Sequence, residues 1–137
     1  MGYGMDEADL KALCAESPVH RWLALDIEKA PRGVALHTQL DDRLAQAETG
    51  QTAHGGIVAT LLDTAATFAL IAESGHDWTT VDLRIDYLRP TPLRRVTVVG
   101  EVVRLGRRIG RASSALTDQD GKLCAVAIGT FVPVDEP

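Results

Sequence analysis

The sequence predicts an α+β domain of two layers, in which an antiparallel sheet curls round one buried helix. Three observations predict it. One helical segment is apolar at nearly every angle of its wheel. A row of long, β-branched segments follows it. The last three of those segments are joined by connections too short for anything but an antiparallel meander. At 137 residues and 45% hydrophobic composition, the chain suits one domain over 1–137, with 1–20 as an N-terminal helical segment.

Residues 6–16 read as a short helix, with acids in the first turn and Pro18 just beyond the end. Residues 33–40 alternate, with Val34, Leu36, Thr38 and Leu40 on one face, as a half-buried strand does. Residues 41–52 are polar and irregular, a loop or a frayed strand. The central helix follows, opened by Gly55 and Gly56, closed by Gly75, and rich in Ala, Leu and Thr between them. Residues 79–88 alternate again, with Val81, Leu83, Ile85 and Tyr87 opposing Asp82, Arg84 and Asp86. Two prolines, Pro90 and Pro92, force an extended corner. Strands are expected at 94–105, 109–117 and 122–132, with turns at 106–108 and 118–121. Trp22, Trp78 and Phe68 read as core aromatics.

Several function classes drop out. A net charge of −5 argues against a general nucleic-acid binder. Cys14 and Cys124 form no CxxC pair and no zinc-spaced cluster, so no metal is expected. The longest apolar stretch, 57–72, is interrupted by Thr60, Asp63, Thr64 and Thr67 and reads as too short and too polar to span a bilayer. Acids stand where a signal peptide needs a basic start, so a cytoplasmic protein with reduced thiols is expected.

Two features could carry chemistry. Asp63 sits mid-helix among Leu61, Leu62, Ala65 and Ala66, where an ionised carboxylate is costly without partners. The plain alternative is a thin solvated stripe shared with Thr60 and Thr67. His54-Gly55-Gly56 stands at the helix start, where unpaired N–H groups and the positive end of the dipole suit an anion or a developing oxyanion. The plain alternative is a cap with a hydrogen-bonded histidine. Gly55 and Asp63 of one chain are about 12 Å apart along a helix, too far to act on one carbonyl. Either their jobs differ, or a symmetric dimer with antiparallel helices brings Gly55 of one chain to Asp63 of the other.

HGGIVATLLDTAATFAL followed by VDLRIDYLRPTP resembles the hotdog-fold acyl-CoA thioesterases, in particular their phenylacetate-pathway branch, over roughly residues 36–131. The resemblance implies a sheet wrapped round the central helix, homodimers or homotetramers, and active sites built across the dimer interface. It implies that Asp63 is the catalytic carboxylate, as nucleophile or as general base toward water. The Gly55 N–H would polarise the thioester carbonyl from the facing subunit, with His54 shaping the loop, and Thr80 opens the strand that the family uses to contribute a hydroxyl. Gly56 and Thr67 are further substrate-side candidates. Thr67 could hydrogen-bond the Asp63 carboxylate. No cofactor is implied beyond the coenzyme A that the substrate carries. Where the family usually has Asn or Gln six residues before the histidine, to hold the carbonyl or the lytic water, this chain has Glu48, which becomes the substrate-side candidate there. That departure keeps open a non-catalytic acyl-CoA binding or sensing protein. A hydratase would want a histidine on the helix, which has none between Gly55 and Ser74.

Arginine supplies the remaining signal. Residues 84–111 hold eight arginines against two acids, a net +6 inside an acidic chain. Guanidinium groups match the phosphates of coenzyme A in charge and geometry. Arg89, Arg107 and Arg108, at strand ends, are the residues expected to hold it; the others suit an outward polar row.

Overall fold

The computed structural model describes residues 4–134. Two short helices, α1 (Glu7–Cys14) and α2 (Pro18–Trp22), precede strands β1 (Asp26–Ala30) and β2 (Gly33–Gln39). A single 3₁₀ turn at Asp42–Leu44 lies in the expected loop. The long helix α3 (Gly55–Ser74) is followed by β3 (Trp78–Tyr87), β4 (Arg95–Leu105), β5 (Gly110–Asp118) and β6 (Leu123–Pro133). All six strands form one antiparallel sheet in the order β1-β2-β4-β5-β6-β3. The sheet wraps α3, whose Leu61, Leu62, Ala65, Ala66, Ala69 and Leu70 have no exposed surface.

The two-layer architecture and the meander β4-β5-β6 agree with the sequence reading. Two elements go beyond it. Pro18 does not merely follow α1; it is an early residue of α2, capped by Ser17, a place where a missing N–H costs nothing. Residues 26–30 form an edge strand, although only Ile27 is buried in that stretch and no alternation shows. The expected core role also fails for Trp22, which is 49% exposed with the Arg43 guanidinium 5.6 Å from its ring centroid.

α3 begins at the His54 cap and ends at Gly75 in the left-handed conformation that favours glycine. Its 20 residues, with mean hydropathy 1.7 over the best window, are long and apolar enough to cross a membrane. The reading of 57–72 as too short and too polar is thus not what excludes a span. The position of α3 beneath the sheet is that of a core helix. Its hydroxyls are satisfied locally: Thr60, Thr64 and Thr67 each donate to the carbonyl four residues back. Ser114 of β5 donates to the Leu62 carbonyl at 2.8 Å, fastening helix to sheet.

Helix and sheet come into close contact at two neighbouring glycines on adjacent strands, Gly33 of β2 and Gly100 of β4. A Cβ on Gly100 would stand 2.0 Å from the Ala65 carbonyl oxygen, and one on Gly33 would stand 1.9 Å from the Gly100 oxygen. The obstacle at both is backbone, which cannot swing aside. Gly100→Ala is therefore expected to lose about 3 kcal/mol of stability. The midpoint of denaturant unfolding measures it, and an unchanged midpoint refutes the close packing.

Candidate functional site

β3 carries a bulge that decides which way its side chains point. Thr80 pairs with Phe131 and Asp82 with Thr130, so Val81 is the extra residue and stands 60% exposed. The expected face of Val81, Leu83, Ile85 and Tyr87 is therefore broken at its first member. Before the bulge Trp78 and Thr80 face inward; after it, the half-buried Leu83 and Ile85 do. A regular strand with Leu83 inward would have turned Thr80 out. The bulge instead aims Thr80 at α3, where its hydroxyl donates to Asp63 Oδ1 at 2.6 Å.

Asp63 is half-buried. Thr80 holds one of its oxygens, and no other protein donor among the described residues reaches the carboxylate, leaving Oδ2 free. The expected bond from Thr67 to this carboxylate is not made. Thr67 donates instead to the Asp63 backbone carbonyl at 2.8 Å, because a helical hydroxyl meets the i−4 carbonyl first. Asp63, Thr67 and Thr80 nevertheless line one cavity of about 460 Å³, together with Phe68, Ile71, Trp78 and residues of α1 and α2. The other two aromatics expected in the core, Phe68 and Trp78, are buried there and form part of its wall.

A second cavity, about 360 Å³, opens at the start of α3. Gly55 and Arg89 both line it, with Tyr87 and the Pro90 corner. Gly55 is the first residue of the helix. Its N–H takes part in none of the hydrogen bonds among the described residues, as expected of a first-turn donor. Its carbonyl accepts from Tyr87 Oη at 2.8 Å, which ties the end of β3 to the start of α3. The neighbouring Gly56 N–H is already used, donating to His54 Nδ1 at 2.8 Å. His54 thus closes the cap and leaves Gly55 as the available donor.

Three candidate residues lie elsewhere. Glu48 is exposed in the loop and lines neither cavity. Arg107 and Arg108 are exposed in the β4–β5 turn, also outside both cavities. The thiols are poor nucleophile candidates: Cys14 and Cys124 are buried, and burial pushes both above the usual thiol range. Among the described residues no three His, Cys, Asp or Glu side chains are grouped to hold a metal ion. The structure adds residues the sequence did not single out. Leu13, Glu16, Ser17 and His20, from the α1–α2 corner, face the Asp63 cavity. The pair Ser17-Pro18, a cap followed by a first-turn proline, was the readable signal for α2; its contact with α3 is long-range and leaves no local mark.

Residues 50–125 match the family model of the thioesterase superfamily. The chain belongs to that superfamily. As a member it is a thioester hydrolase with the hotdog fold, a curved sheet round a central helix. It is 27% identical over 131 residues to the medium/long-chain acyl-CoA thioesterase YigI of Salmonella typhimurium, covering 84% of each chain. It is 35% identical over 77 residues to acyl-coenzyme A thioesterase 13 of Mus musculus, covering 54% of this chain and 55% of that one. A thioesterase family protein from Silicibacter pomeroyi superposes with a TM-score of 0.82 at 27% identity, over 93% of this chain and 96% of that one.

For such a hydrolase, Thr80→Val is expected to lower kcat/KM about tenfold, since it removes one hydrogen bond to a charged group at nearly constant shape. Thr80→Ser should stay within a few-fold of wild type. Equal rates for the valine and serine variants would show that the bond orients nothing of consequence.

Proposed function

We propose that the chain hydrolyses acyl-CoA thioesters in a homodimer whose two active sites each draw on both subunits. One observation carries the reading. The two cavities of a protomer lie at opposite ends of the same strand: the Asp63 cavity at the start of β3, with Trp78 and Thr80, and the Gly55 cavity at its end, with Tyr87 and Arg89. β3 is also an edge of the sheet, and at ten residues it is twice as long as the charged edge β1. A long open edge is a template for a second strand. Antiparallel pairing of two β3 edges about a twofold axis sets the start of one against the end of the other. Each Asp63 cavity then meets the partner's Gly55 cavity.

In that composite site the Gly55 N–H donates to the thioester oxygen and stabilises the charge that develops there. Asp63 Oδ2 does the rest by one of two routes. It attacks the carbonyl carbon, giving an anhydride and expelling the CoA thiolate, and water then cleaves the anhydride. Alternatively it takes a proton from water as the water attacks, and the tetrahedral intermediate collapses with loss of the thiolate. Both routes use the same free oxygen, and neither requires a metal or a further cofactor. Arg89 is the residue assigned to the CoA phosphates, since it lines the cavity that Gly55 opens. Glu48, Arg107 and Arg108 belong to the reading only through a partner subunit. The names of the acyl-CoA thioesterase relatives support the substrate class. We further place the enzyme in the cytoplasm, as a soluble protein without a nucleic-acid or membrane partner.

Release of free CoA from aromatic, short-chain and long-chain acyl-CoAs, followed with a thiol reagent, tests the reading, alongside sedimentation to give the subunit number. Turnover by a homodimer or a dimer of dimers is the expected result. Tight binding without turnover on every substrate would make the protein an acyl-CoA sensor instead, and an active monomer would remove the shared site.

A further inference from the structure

The Asp63 cavity does not end at the carboxylate. Asp63, Thr67, Phe68 and Ile71 line it from α3, so it follows the helix for about two turns, ~12 Å. Its facing wall is the α1–α2 corner. There His20 packs edge-on against Phe68, with ring centroids 5.8 Å apart. Phe68 stands five residues beyond Asp63, which places this wall about 7.5 Å further along the helix axis than the carboxylate.

The chemistry of that wall follows from one hydrogen bond. His20 Nδ1 lies 2.9 Å from the Cys14 carbonyl oxygen. A carbonyl only accepts, so Nδ1 carries the proton, and in the neutral ring Nε2 holds a lone pair. Nε2 has no protein partner among the described residues, yet no side-chain nitrogen or oxygen there is both buried and unpaired. Nε2 is therefore accessible, on a ring that lines the cavity. The acidic residues Glu16 and Asp77 line the same cavity, while no lysine or arginine does. The wall offers acceptors, and it repels an acyl group that ends in a carboxylate.

We infer that His20 determines acyl specificity, and that it selects an acyl group whose far end carries a hydrogen-bond donor, such as a terminal hydroxyl. The inference rests on the acyl-CoA reading above, and it adds a residue and a chemical class to it. A six-carbon chain with its thioester carbon at Asp63 can reach His20 with a terminal hydroxyl.

Affinity for non-hydrolysable thioether analogues of 6-hydroxyhexanoyl-CoA and hexanoyl-CoA, measured by calorimetry, tests it without requiring turnover. The wild type should bind the hydroxylated analogue about tenfold more tightly, the value of one well-made hydrogen bond. His20→Asn keeps an amide nitrogen where Nδ1 bonds Cys14 but loses the group at Nε2, so its preference should fall to about one. His20→Gln, whose amide reaches as far as Nε2, should recover part of it. An unchanged preference in His20→Asn, or none in the wild type, overturns the inference, as does tighter binding of the adipyl analogue than of the hydroxylated one. Discrimination between analogues without CoA release from any ester would sink the hydrolytic reading and leave the inference standing. Failure to bind either analogue removes both.

Discussion

Asp63→Asn is expected to release CoA at about a thousandth of the wild-type rate, within the range that a positioned acid–base or nucleophilic carboxylate contributes. The substitution changes one oxygen to a nitrogen. Asparagine has the size of aspartate, and its amide oxygen can still accept from Thr80, so the half-buried site on α3 should repack without loss. Melting temperature should therefore stay within a degree or two while turnover collapses. That combination separates a chemical role from a structural one. An Asp63→Asn enzyme that keeps its full rate would falsify the assignment. A variant that loses activity together with its fold would return Asp63 to the status of a polar core residue.

Gly55→Pro is expected to cost about 10²–10³ in kcat, the usual loss for one oxyanion donor. Proline suits this position for reasons independent of catalysis. It is the first helical residue, where proline's fixed φ is tolerated, and His54 before it has φ −56° and ψ 135°, in the extended region that a following proline demands. A Cβ there meets only the Tyr87 ring, at 3.7 Å or more, an ordinary contact. The variant thus deletes an N–H and little else. Refolding Gly55→Pro together with Asp63→Asn then asks where the two groups work. If each site draws on two subunits, half of the dimers are mixed, and each mixed dimer holds one intact site, so about a quarter of the wild-type activity should return. No recovery on mixing would place both groups in the same protomer, against the ~12 Å that separates them along α3.

Much of the fold was legible because it rests on composition and local punctuation. The helix of Ala, Leu and Thr between glycines could only be buried, and the turns at 106–108 and 118–121 could only join antiparallel neighbours. What escaped was written in pairing rather than in residue type. β1 has one buried apolar residue, Ile27, so it shows no alternation. β3 crosses to the far edge of the sheet beside β6, a choice that no local signal at 78–87 encodes. The bulge at Val81 is invisible for the same reason, since an extra residue in a ladder looks like any other in a list. The site shows the same division. Asp63 stood out as a charge in an apolar helix and Gly55 as a bare amide at its start. The partner of Asp63 was foreseen only as a hydroxyl on the right strand, and the α1–α2 wall was not foreseen at all.

The glycine contact beneath α3 also bears on how this protein moves. Because Gly33 and Gly100 let the helix rest on sheet backbone at Ala65 and Ala69, the helix is keyed to the sheet at that point and resists sliding. Asp63 and Gly55 of one protomer therefore ride on a single stiff beam, so the two groups that share a composite site can shift relative to one another only as the subunits move. Entry and exit of a ligand must be accommodated by the pieces around the beam, chiefly the α1–α2 corner, whose two helices span eight and five residues. Amide hydrogen exchange should record that hierarchy directly, slowest from Leu61 to Leu70 and fastest, within the ordered elements, across Val19–Trp22.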